Sequence, residues 1–224
     1  MRPYTPEAGT LELLTPPEDE PLDLEDAKEH LKEDSSEFND YITGLITAAR
    51  MYVEAHTGRG LIDQTWRLTL DSWPSRRDEP WWDGVREGAI TDLHFAQEVT
   101  LAKAPFKSVS EVRTLDEDGT ETVWAASNYY TATRSGFGRL VAKTGSTFPI
   151  PDRDVGGIQI DFLVGYGENA SDVPYPIRQA MKQLIFHWFR HRLAVDQCIS
   201  GSVQGAPHVP FGVVSLLAPY VVHK

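Results

Sequence analysis

The period of the apolar positions changes along this chain, and the changes divide it. Residues 1–21 have no period: prolines and acids alternate, and the stretch reads as an extended arm. Leu22-Asp23-Leu24-Glu25-Asp26 then looks like a helix start. Asp23 is placed to cap it, Asp26 follows three residues on, and acids suit the positive end of a helix dipole. A short helix is expected to about Lys32. Ser35 or Ser36 is placed to cap a longer one, with Phe38, Ile42, Leu45, Ile46, Ala49 and Val53 on one face. Gly58 suits the left-handed position just past its end. The two helices are expected to form a hairpin.

A period of two begins at Gln64 and runs to Asp71, with Trp66, Leu68 and Leu70 on one side and Arg67, Thr69 and Asp71 on the other. From Pro74 to about His94 no period is visible. Trp81 and Trp82 lie there among charges and glycines, either folded back on their own core or set against a neighbour. Short strands are expected near Glu98–Ala102, Val109–Leu115, Tyr129–Thr133, Arg139–Val141 and Gly157–Val164. Asp118-Gly119 is a tight hairpin signal ahead of Val123 and Trp124.

Helical spacing returns from Tyr175 to Val195. Pro176 suits the first turn. Ile177, Ala180, Met181, Leu184, Ile185 and Trp188 recur on one face, and Phe186, Phe189 and Leu193 add a second. A helix apolar nearly all round is buried nearly all round. The N-terminal hairpin or a neighbouring subunit must cover it. Beyond it lies a Gly/Pro-rich stretch and an apolar tail that cannot easily cover itself. The fold class is α+β: a helical core from both ends of the chain, a β-rich insertion, and extended N- and C-terminal arms. The divisions are 1–21 (acidic arm), 22–60 (helical hairpin), 61–167 (β-rich insertion), 168–200 (long helix) and 201–224 (apolar tail).

Composition narrows the class without naming a chemistry. A chain of 224 residues can bury one good core or two small ones. No apolar run approaches a membrane span, and the N-terminus lacks the apolar centre of a secretion signal. The single cysteine, Cys198, excludes an internal disulfide and a cysteine-based zinc cluster, and a reducing compartment is expected. The net charge is −12; residues 1–40 carry thirteen acids and three bases, a net of −10, which leaves −2 for residues 41–224. From Arg178 to Lys224 there are five bases and one acid, a net of +4. The two ends are either solvated faces or complementary surfaces of neighbouring subunits. Tight binding to a nucleic-acid backbone needs clustered cations that this balance does not supply.

Candidate chemistry is sparse. His187 and His191 have the i, i+4 spacing of two metal ligands, but no third ligand and no catalytic Glu accompany them, so packed or interfacial histidines are expected. Asp116-Glu117-Asp118-Gly119 lacks the spacing of a calcium loop and reads as a turn. Neither Gly136-Phe137-Gly138 nor Gly156-Gly157 opens a phosphate loop, and no serine sits in a nucleophile elbow. No cofactor, metal site or catalytic residue is expected.

Five stretches, in order, resemble one family: LELLTPPEDEPLDLEDAKEHLK, ITAARMYVEAHTGRGLIDQTWRLTLDSWP, LDEDGTETVWAASNYYTATRSGFGRLV, FLVGYGENASDVPYPIRQAMKQLIFHWFRHR and VPFGVVSLLAPYVV. The family is the head–tail connector (adaptor) proteins of long-tailed bacteriophages, prophages and gene transfer agents. The likeness runs from about Leu11 to Val222; the Pro74–His94 loop departs from it. The resemblance implies a structural virion protein without catalysis, assembled in the bacterial host cytoplasm and located in the neck. It implies a ring, commonly of twelve subunits, under the portal protein, with the next neck (stopper) or tail protein below. It implies that phage DNA passes through the lumen without specific binding and that no membrane is involved. Ile177, Met181, Leu184, Ile185, Trp188 and Phe189 would form the subunit-packing helix. Val209, Pro210, Phe211, Gly212, Leu216, Leu217 and Tyr220 would reach the portal; the resemblance says nothing of Trp81 and Trp82, whose loop stays a candidate neighbour contact on its own reading. The alternatives are another neck protein, such as a stopper or tail terminator, and more remotely a metal-dependent hydrolase using His187 and His191.

Overall fold

The structure, a computed structural model, describes residues 9–74, 98–191 and 210–222. Trp81, Trp82, Leu193, Cys198 and Val209 lie outside them. The fold is α+β, and its contacts separate into two compact units. One is built from the described parts of residues 1–16 and 64–164, the other from residues 17–63 and 165–223.

In the helical unit, α1 (Leu24–Leu31) and α2 (Asn39–Thr57) form the expected hairpin. Their starts differ from expectation. Asp23 makes no side-chain cap; its carbonyl oxygen accepts from the Ala27 amide at 3.1 Å, and Glu25 and Asp26 supply the negative charge of the first turn. Ser35 and Ser36 do not cap α2, which begins three residues later with Phe38 at the cap position. Phe38 is held edge-on against Phe189, with centroids 5.7 Å apart, so tertiary packing overrides the local cap. Gly58 ends α2 at φ 73°, as its position requires.

The long helix is α3 (Tyr175–Arg190). Ile177, Met181, Leu184 and Ile185 are fully buried in the unit's core beside Ile42, Ile46, Ala49 and Val53 of α2. Each such side chain removed from water stabilises the fold by about 1.5–3 kcal/mol. Cover for α3 comes from α1, α2 and α4 (Phe211–Leu217) of the same chain. Of the two covers expected for these four residues, the N-terminal hairpin is present within the chain. The extended C-terminal arm is corrected: residues 211–217 are helical, and Val213 and Leu217 are 0% exposed. Their i, i+4 spacing lets one short helix bury both. Leu61 and Ile62, expected in the β-rich part, also lie in this core.

The other unit is two antiparallel sheets. The first has the order β1-β2-β8-β4-β5, from β1 (Gly9–Thr15), β2 (Gln64–Leu70), β8 (Ile158–Val164), β4 (Phe106–Leu115) and β5 (Glu121–Val123). The second has the order β3-β7-β6, from β3 (Glu98–Leu101), β7 (Phe137–Ala142) and β6 (Tyr129–Arg134). Part of the expected acidic arm is thus a strand: Gly9–Leu13 pairs in regular register with Leu70–Trp66. Leu68, Val112 and Ile160 join Val99, Leu101 and Leu140 in one core. Gly138 sits where any side chain would collide with the Phe106 ring. The β4–β5 turn closes through the Asp116 carboxylate, which accepts from the Thr120 amide at 2.7 Å, with Gly119 at φ 83°.

Candidate functional site

The residues singled out by sequence fall into three groups in the helical unit. The first is the C-terminal segment. α4 packs on α3, and the residues after it are fastened to the end of α2. Arg59 Nε donates to the Tyr220 carbonyl oxygen at 2.7 Å, and the Val222 amide donates to the Thr57 carbonyl oxygen at 2.9 Å. Leu217 is spent on the core, and Leu216 and Tyr220 are half-buried against it. Phe211, by contrast, is 84% exposed, Gly212 is exposed, and Val214 stands out on the same helix. Sequence reasoning treated the tail as uniformly apolar and missed this division. The i, i+4 spacing of Val213 and Leu217 was the signal that could have found it.

The second group is the outer side of α3. Trp188 and Phe189 are partly buried: Tyr52 meets Trp188 edge-on at 6.1 Å, and Tyr41 lies 6.0 Å from Phe189. Away from the core, Arg178, Lys182, Phe186 and Arg190 recur every four residues. The Arg178 guanidinium lies 5.8 Å from the Tyr175 ring centre and that of Arg190 5.4 Å from Phe186. Tyr175 is 66% exposed and Phe186 41%. Lys182 pairs with Asp26 of α1 at 3.5 Å.

The third group is the histidine pair. The rings of His187 and His191 are 4.8 Å apart. Burial, and then the charge of His191, hold His187 below the ordinary histidine value. Among the described residues no cluster of three or more His, Cys, Asp or Glu side chains is placed to hold a metal ion.

The β unit carries an ion network on one face of its larger sheet. Arg67 donates both Nε and Nη2 to Asp161, at 2.7 and 2.9 Å, and Arg113 Nη2 donates to the same carboxylate at 2.6 Å. Arg113 also pairs with Glu111 and Glu121. Asp161 and Glu121 are paired with arginines across strands and Glu111 along its own strand, which is the chemistry of a sheet face held in register.

The whole fold, rather than any reacting group, is what this chain shares with solved structures, which are chains of gene transfer agent particles. A chain from the neck of an empty gene transfer agent particle, computed with C6 symmetry, superposes with a TM-score of 0.70 at 23% identity, covering 96% of each chain. Chains from the virion of a native gene transfer agent particle and from the native neck computed with C12 symmetry give 0.68 and 0.66, both at 24% identity and 96% coverage of each chain. No family model and no curated protein matches the sequence.

Proposed function

We propose that this chain is a head–tail connector, an adaptor subunit in the neck of a tailed phage or gene transfer agent particle. The observation that carries the reading is the match over 96% of both chains to neck structures solved with C6 and C12 symmetry. In this reading the subunits form a ring under the portal, commonly of twelve. The ring prolongs the DNA tunnel and offers a platform to the next neck or tail protein. The work is mechanical, and no catalytic group takes part. The negative charge of the chain suits a channel through which DNA slides, because like charge resists the counterion-releasing contacts that would hold it. The exposed side of α4, Phe211 with Val214, is the part of the C-terminal segment left free to meet the portal.

Electron microscopy of the chain incubated with its portal tests the reading. A ring capping the narrow end of the portal is expected. Free subunits beside bare portals, with both proteins folded, would overturn it.

A further inference from the structure

We propose that the outer ridge of α3 is one half of the contact between neighbouring copies of this chain, and that the acidic side of α1 on the next copy is the other half. The inference rests on the reading of the chain as a ring subunit and names the surfaces that would join the ring. The ridge spans about 18 Å from Arg178 to Arg190 at the helical rise. At each end an arginine lies over an exposed aromatic ring, Tyr175 or Phe186. Neither arginine has an ion-pair partner among the described residues, and Arg178 Nε is buried with no hydrogen-bond acceptor. Only Lys182, between them, is neutralised within the chain, by Asp26. Arginine and tyrosine on a solvent face are the residues that dominate binding energy at protein interfaces.

The matching charge is on the same chain. Glu25 and Glu29 are exposed, one turn apart on α1, and Asp34, Glu37 and Asp40 continue the exposed acids beyond it. Of the described acids in residues 9–40, only Glu20 and Asp26 have ion-pair partners, Arg50 and Lys182. An acidic surface beside a basic ridge repels a polyanion overall but fits a second copy set head to tail, acid on base. Head-to-tail contact is also the kind that closes into a ring.

Two full-length variants test this: Arg178→Glu with Arg190→Glu, and Glu25→Lys with Glu29→Lys. Circular dichroism checks the fold, and if either variant misfolds, the neutral pairs R178Q/R190Q and E25Q/E29Q replace them. Sedimentation velocity reads assembly. Wild-type oligomers are expected to shrink as NaCl rises from about 0.05 M to about 0.5 M, since screening weakens exposed charge contacts. Each variant alone is expected to stay monomeric. An equimolar mixture of the two reversed variants is expected to assemble again, because one joint keeps its native charges and the other carries them exchanged, whereas a mixture of the neutral pairs is expected to stop at a dimer. Variants that assemble like the wild type would overturn the contact and leave the ring reading standing. Wild-type chain that stays monomeric at every concentration, with and without its portal, would overturn both. Wild-type binding to a labelled single-stranded oligonucleotide that the R178E/R190E variant loses would assign the ridge to nucleic acid instead.

Discussion

Asp161 is 6% exposed and receives three hydrogen bonds from two arginines on flanking strands. Removing it leaves Arg67 without its ion-pair partner, while Arg113 keeps Glu111 and Glu121. Asp161→Ala is expected to cost about 3–5 kcal/mol, measured as a lower urea midpoint at unchanged slope. His187 acts through pH. Its folded value lies below the ordinary 6.5 because burial, then His191, disfavours the charged form. The unfolded chain therefore takes up the proton first as pH falls, so this contribution to stability is present above about pH 6.5 and declines below it. The melting temperature should fall on acidification through that window, and His187→Gln should flatten the fall. An unchanged slope would mean that other groups set it.

At the scale of elements, α4 is the case where burial and exposure separate cleanly. Leu217→Ala is expected to cost about 2–5 kcal/mol in chemical denaturation, since the side chain is wholly buried. Deleting residues 207–224 should lower the melting temperature further, because α3 loses part of its cover. Much of this was legible in the sequence. The faces of α2 and α3, the stop at Gly58, the hairpin at Asp118-Gly119 and the strands from β2 onward follow from local period and turn chemistry. What was not legible depended on distant partners. Gly9–Thr15 carries no strand signal strong enough to predict its pairing with β2, which supplies the other half of the ladder. The start of α2 was misplaced because Phe189, far along the chain, decides where Phe38 sits. The α3 ridge was hidden for a different reason: Phe186 was counted with the apolar positions, and only exposure distinguishes it from Ile185.

For the whole molecule, the proposed portal contact puts Phe211 at the surface where folding and assembly can be told apart. Phe211→Asp alters a side chain that is 84% exposed, so melting should be unchanged, while binding to the portal should be lost in a pull-down. Retained binding would move the portal contact elsewhere on the chain. The pairing of this variant with Leu217→Ala separates a defect in docking from a defect in folding, which a simple truncation confounds.

The helical core draws on both ends of the sequence, and that sets an order of events during synthesis. The apolar face of α2 is complete once Val53 has been made, yet the part of its cover that α3 supplies begins only at Ile177. At about 5–20 residues per second the ribosome needs on the order of 6–25 seconds to make the 123 residues between them, 54–176. Throughout that interval Ile42, Ile46 and Val53 lack their final cover, while strands of the β unit are already emerging. A nascent chain halted before Tyr175 exposes the apolar surface that α3 would cover, and is therefore expected to be a client for a chaperone.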